Sequence, residues 1–427
     1  MFEFQYTTII SPIPATIKNM IKRIVCILLL TGSLSITTAA QSFFTTKGKN
    51  ILGPDGKPFF INGTNLGNWL VPEGYMFLFK NASSPQLINN VLTELLGPDA
   101  IKDFWKKYLD VYITREDIHY LKLIGMNSIR IPFNYRLFSN ENYMGANDSA
   151  RGFRYLDPVI NWCKKEKLYV ILDMHCAPGG QTGDNIDDGY GYPFLFENEQ
   201  SRIQCAAIWK RIAAHYKNET VIIGYDLLNE PIAHYFDKSI FNPLLEPVYK
   251  QIAKAVRDVD KNHILFLGGA QWDSNFQPFG PPFDTKLVYT FHKYWTPPTR
   301  EVIRDYIDFS EKYNVPIYCG ETGENEDAWV ETFRKMLDSN KIGWHFWPYK
   351  KINNTRGIVM FSKPAGYDSV SSYANIPKIN FEDIRKFRPS NMDEIKKALD
   401  GFLENCRFKN CIQNTGYIKA LGFIPQE

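Results

Sequence analysis

Short apolar runs recur along the chain at intervals that leave room for a helix between neighbours. They occupy residues 59–63, 127–131, 169–173, 221–228, 264–267, 287–291, 316–319 and 342–347, and are rich in β-branched and aromatic side chains. Near-continuous runs of this kind suit parallel strands buried on both faces. Between them apolar residues return at helical spacing: Ile118, Leu121 and Ile124; Ile208, Ile212, Ala213 and Tyr216; Val248, Ile252, Ala255 and Val256; Val302, Ile303, Tyr306 and Ile307. Residues 386–405 supply a closing helix through Ile395, Leu399 and Leu403. Strand and helix alternating eight times predicts an α/β chain folded as a (β/α)8 TIM barrel. A doubly wound open sheet is the alternative, but it requires a glycine-rich phosphate loop after the first strand, which the sequence lacks. Residues 76–110 read as an insertion after that strand, so residues 41–427 are expected to form one barrel domain with rim-loop insertions.

The N-terminus changes the picture of where the chain works. Lys22 and Arg23 precede an apolar run at 24–30, and Thr37, Thr38, Ala39 and Ala40 supply small residues after it. This is the layout of a cleavable export signal, ending at Ala40 and read from Met20. The run is too short to span a bilayer. A secreted, periplasmic or cell-surface location is therefore expected, with residues 1–40 as leader and signal. Removing them takes away Lys18, Lys22, Arg23 and Glu3, so the formal charge falls from +3 to +1. So neutral a chain has no electrostatic case for nucleic acid or membrane as partner. Of seven cysteines, Cys26 leaves with the signal, and the other six show no metal-like spacing. Cys406 and Cys411 are close enough to pair in an oxidising compartment, and the sequence leaves that open. The acidic run Asp184, Asp187 and Asp188 reads as a solvated loop, and Trp344 as core.

In a barrel the carboxyl ends of the strands carry the chemistry, so polar residues closing apolar runs are the informative ones. The second strand carries Arg130, the third Asp173 and His175, and the fourth leads into Asn229 and Glu230. The sixth ends in His292 and Tyr294, the seventh in Glu321, the eighth in Trp347. Two buried carboxylates at one rim imply either a metal or a shared acid–base task. No HxH or HExxH cluster is present, so neither metal nor cofactor is expected. Glycoside hydrolysis needs two carboxyl groups across the scissile bond, about 5 Å apart when configuration is retained. Arg130 beside Glu321 favours an ionised nucleophile, while Glu230 facing that charge stays protonated as acid/base. Asn229 is placed to hold a sugar 2-hydroxyl. His175, His292 and Tyr294 are expected to line the site and Trp347 to offer a sugar platform.

These motifs resemble glycoside hydrolase family 5. The resemblance rests on Leu228-Asn229-Glu230-Pro231, Arg130-Ile131-Pro132, Asp173-Met174-His175, Phe291-His292-Lys293-Tyr294, Gly320-Glu321-Thr322-Gly323 and Trp347. It implies a retaining glycosidase with its catalytic glutamates on strands four and seven. The segment Asn65-Leu66-Gly67-Asn68-Trp69-Leu70-Val71-Pro72-Glu73 is similar to the opening of the exo-β-1,3-glucanase-like branch, in which the glutamate binds the terminal sugar; Glu73 matches it. The chain differs from that branch at Pro72, at Gly180 and through 182–190. A monomer acting on a β-glucan or related carbohydrate, with no membrane insertion, is the resulting expectation. An endo-β-glucanase, a transglycosylase and a non-catalytic sugar-binding protein remain alternatives.

Overall fold

The computed structural model of the chain describes residues 1–5, 7, 16 and 42–426. It divides into two compact units, Met1–Ser42 and Phe43–Glu427. The expected signal and its cleavage point at Ala40 lie outside the described residues, and every element below belongs to the second unit.

Eight parallel strands close into a barrel: β1 (Asn62–Asn65), β2 (Ser128–Asn134), β3 (Tyr169–Cys176), β4 (Ile222–Asp226), β5 (Ile264–Gly268), β6 (Leu287–Tyr294), β7 (Ile317–Gly323) and β8 (Gly343–Phe346), with β8 pairing both β7 and β1. The first strand begins three residues later than the pattern predicts. Phe59 instead gives its N–H to the Ile51 carbonyl, joining a short hairpin of Thr45–Lys47 and Asn50–Leu52. Ile51 of that hairpin and Phe44 just before it pack in one cluster with Ile61, which precedes β1, and with Ile171, Ile223, Phe266, Val288 and Tyr318, inward residues of the strands. Outward residues such as Ile129, Leu172 and Leu265 belong to the larger core shared with the helices.

Between β1 and β2 the predicted insertion holds two extra helices, α1 (Pro85–Leu96) and α2 (Ala100–Tyr112), ahead of the crossover helix α3 (Arg115–Leu123). Ser84 caps α1 by accepting from the Leu87 N–H, and Pro85 opens its first turn, where no donor is needed. Crossovers α4 (Arg151–Glu166), α5 (Glu199–Tyr216) and α6 (Lys238–Arg257) follow in order, then α7 (Arg304–Tyr313) and α8 (Asp327–Ser339) after β6 and β7. The alternation breaks once. Between β5 and β6 there is only a four-residue helical turn, Ala270–Asp273, with Gln271, Trp272 and Asp273 all at positive φ. Three left-handed residues in a row end a helix at once.

After β8 come α9 (Tyr367–Asn375), α10 (Phe381–Phe387), α11 (Met392–Asn405) and α12 (Thr415–Ala420), with a small sheet of Lys350–Ile352, Val359–Phe361 and Ile412–Gln413. The closing helix starts later than the predicted 386, because Pro389 interrupts the pattern and Asn391 caps a new start at Met392. No helix among the described residues is long and apolar enough to cross a membrane. All six cysteines of the barrel unit are free, Cys406 and Cys411 included.

Candidate active site at the carboxyl ends of the strands

Strict alternation along β7 would send Tyr318 and Gly320 inward and Cys319 and Glu321 outward. The pairing with β6 slips by one residue, so that Phe291 stands opposite Cys319 but His292 stands opposite Glu321. This bulge turns Glu321 into the barrel beside His292. It demands glycine at 320, where a Cβ would lie 2.5 Å from Thr290 Oγ1 and 2.9 Å from His292 Nε2.

Arg130, fully buried on β2, meets Glu321 with Nη1 at 2.5 Å. The same nitrogen donates to Asn65 Oδ1 at 3.1 Å, Nε to Asp226 Oδ2 at 2.9 Å, and Nη2 to Asn229 Oδ1 at 2.9 Å. Asp173 Oδ1 lies 3.0 Å from Nη2. One guanidinium thus ties together five of the strands or their ends. It cannot neutralise three carboxylates: burial pushes Asp173 and Asp226 up to about 7, against the pull of Arg130.

The two glutamates sit in unlike surroundings. Burial raises Glu321, but Arg130 draws it back, and the Tyr294 hydroxyl donates to Oε2 at 3.0 Å. Glu230 stands just beyond β4 at φ 47°, a left-handed turn that lifts its side chain over the rim. Burial and then the Glu321 charge push it well above the usual carboxylate range. Its Oε1 lies 2.8 Å from His292 Nδ1. Burial holds His292 well below its ordinary value, so the ring is neutral and can accept the proton of a neutral Glu230. Asp273 Oδ2, 3.2 Å from His292 Nε2, faces the other side of that ring. A carboxylate oxygen of Glu230 and one of Glu321 lie within 4.8 Å of each other.

Both glutamates open onto a cavity of about 440 Å³ whose wall also includes Glu73, His175, His292, Tyr294 and Trp347. His175 Nδ1 is 2.8 Å from Asp173 Oδ2, and burial lowers the ring to about 4, leaving it neutral. Trp347 stacks on it with ring centres 5.7 Å apart and planes 9° from parallel. The indole N–H of Trp347 donates to the Tyr75 hydroxyl at 2.8 Å. Gly67 lies under this indole, where a Cβ would come within 2.6 Å of the ring.

The model of glycosyl hydrolase family 5 (cellulase) matches residues 93–353, more than half of the chain. The chain belongs to glycosyl hydrolase family 5. A β-xylosidase of Phanerodontia chrysosporium is 32% identical over 60% of this chain and 52% of the relative. The chain therefore spans about half the length of that protein. Endoglucanase C of Acetivibrio thermocellus is 27% identical over 58% of this chain and 88% of the relative. Glucan 1,3-β-glucosidase 2 of Wickerhamomyces anomalus is 27% identical over 63% of each. Among solved structures, rutinosidase from Aspergillus niger superposes with a TM-score of 0.55 at 20% identity, over 70% of this chain and 92% of the other. An endogalactoceramidase reaches 0.56 at 18%, over 86% and 84%. Both show the barrel fold.

This family 5 barrel brings all nine predicted site residues together, seven of them in the cavity wall. The other two, Arg130 and Asn229, lie fully buried behind the carboxyl groups. The Asn229 side-chain oxygen accepts from Arg130, and its amide nitrogen faces His175 Nε2 at 3.4 Å. The acidic loop is not solvated either. Asp187 accepts the N–H groups of Thr182, Gly183 and Gly189, and Asp188 accepts from Arg136, Asn134 and the Gln86 N–H. These partners lie in other loops or at turn positions that spacing does not reveal. Only Asp184 reaches the cavity. Trp344 is core, as expected, its N–H bonded to Asp338.

Tyr75, Trp272, Trp295 and Glu324, none of them at the end of an apolar run, also stand in the cavity wall. Trp295 directly follows Tyr294, and Tyr75 stands two residues from Glu73, so adjacency was the available signal. As for cations, Asp173, His175 and Glu321, and Glu230, His292 and Glu321, are the two groups whose donors converge among the described residues. Arg130 already places a fixed positive charge against Asp173 and Glu321, which repels a metal ion there.

Proposed function

We propose that this family 5 chain is a retaining β-glycosidase acting on a β-glucan or related carbohydrate by double displacement. Glu321 attacks the anomeric carbon while Glu230 gives its proton to the leaving oxygen. Water, deprotonated by Glu230, then releases the sugar from Glu321. The observation that carries this reading is the unequal setting of two carboxyl groups with oxygens within 4.8 Å of each other. That spacing suits direct attack and leaves no room for an intervening water. Arg130 and the Tyr294 hydroxyl favour charge on Glu321, whereas the Glu230 carboxyl meets a neutral His292. Once the ester forms, Glu321 loses its charge, Glu230 no longer has that charge holding its proton, and its carboxylate form becomes available to take the proton of the attacking water.

Release of single sugars from chain ends is the finer proposal, supported by Glu73 in the cavity wall and by the long connection after β1. Export with cleavage after Ala40 is proposed on the sequence alone. The test of the reaction is proton NMR of the first sugar released from an aryl β-glycoside. A β-anomer is expected, and an α-anomer overturns the retaining mechanism. On polymer, slow loss of viscosity relative to reducing ends formed is expected, and a rapid fall with mixed oligosaccharides overturns the exo reading.

A further inference from the structure

One corner of the cavity holds more charge than the two central glutamates require. Glu73 is only 7% exposed, and its Oε1 has no hydrogen-bond partner among the described residues. Glu324 lines the same cavity, three residues beyond Glu321, and two left-handed residues put it there. Gly323 has φ 118°, and a Cβ on it would strike Tyr417 Oη at 2.6 Å and the Trp347 carbonyl at 2.8 Å. Glu324 itself has φ 51°, a conformation that costs a non-glycine residue energy and persists where the surroundings enforce it.

The surroundings here are Lys351. It is 6% exposed, and its ammonium pairs with Glu324 Oε1 and stands 5.0 Å from the centre of the Tyr75 ring. Tyr75 in turn accepts the indole N–H of Trp347. Lys351, Glu324, Tyr75 and Trp347 thus form a linked group beside the cavity, whose wall also includes Trp272 and Trp295. Burial and then Glu324 are the main causes that raise the Glu73 carboxyl, and both acids line the one cavity. A neutral carboxyl can donate and a Lys-paired carboxylate can accept, a combination suited to two adjacent sugar hydroxyls.

We propose that Glu324, held by Lys351, is a second ligand of the terminal sugar and forms with Glu73 a two-carboxyl seat for a vicinal diol in the wall of the cavity. The proposal deepens the glycosidase reading and rests on it. Glu324 sets specificity by contact, and Lys351 is a positioning residue.

The experiment pairs enzyme variants with substrates lacking single hydroxyls. Aryl β-glucoside and its 3-, 4- and 6-deoxy analogues are assayed with wild type, Glu324→Gln, Lys351→Met and Lys351→Arg. Glu324→Gln should lower kcat/KM at least tenfold, more through KM than kcat. At least one deoxy substrate should be penalised in wild type and carry no further penalty in Glu324→Gln. Lys351→Met should reproduce the Glu324→Gln pattern, and Lys351→Arg should restore most of the loss. If Glu324→Gln does not fold, Glu324→Asp keeps the charge for Lys351 while withdrawing it from the sugar, and should show the same lost penalty. Deoxy penalties equal in wild type and variant overturn the seat and leave the glycosidase reading standing. A wild type inert to every aryl β-glycoside overturns the glycosidase reading. The seat is then judged by calorimetric binding of glucose: weaker binding by Glu324→Gln supports it, and unchanged binding overturns it.

Discussion

At the scale of single residues, Glu321 and Glu230 differ in what each is bonded to, and each difference has a kinetic reading. Replacing Glu321 by Gln keeps the shape but exchanges the nucleophilic carboxylate for an amide. Turnover should fall on the order of 10⁴-fold or more while sugar binding persists, as when a nucleophile is deleted; steady-state rates and calorimetry on one preparation check both. Glu230→Ala should still form the glycosyl-enzyme from an aryl glycoside with a good leaving group, and then stall. Azide should restore release and yield a β-glycosyl azide, identified by NMR; an α-azide would contradict the assignment of roles. The kcat/KM profile of the wild type should be bell-shaped. Its falling limb should vanish when Glu230 becomes Gln, since that limb reports loss of the Glu230 proton.

Individual elements show where the sequence was legible and where it was not. All eight strands and most crossover helices could be read from apolar runs and helical spacing, because burial on both faces leaves a plain trace. The bulge in β7 could not, since it depends on how Glu321 registers against His292, 29 residues earlier in the chain, not on any local residue pattern. The missing fifth crossover helix was hidden for a similar reason: Gln271, Trp272 and Asp273 have no local signature of positive φ. Arg130 and Asn229 could be read as rim residues, but not their place behind the wall, which follows from the five partners that Arg130 gathers from other strands and their ends. The bulge makes its own prediction. Gly320→Ala drives a methyl into Thr290 and His292, at about 1–3 kcal/mol of stability. Because His292 holds Glu230, kcat should fall by more than that loss of stability explains; urea unfolding and steady-state kinetics measured together decide it.

For the whole molecule, the buried carboxyls make stability depend on pH. Asp173 and Asp226 keep their protons up to about 7 in the fold, whereas in the unfolded chain an aspartate loses its proton near ~4. Between these values the folded state binds more protons, so stability falls as pH rises. Their contribution is complete below about 4 and lost on passing through about 7. Melting temperature should therefore decline across that window, and Asp226→Asn should flatten the decline; a melting temperature that climbs instead would contradict the shifts. The guanidinium of Arg130 gives the barrel a further property, one of inheritance rather than energy. Asn65, Asp173, Asp226, Asn229 and Glu321 all answer to it, so none can drift independently of the others. Exchanges among these six should be strongly epistatic: after any one is lost, a second costs little more, and no single later exchange recovers the first.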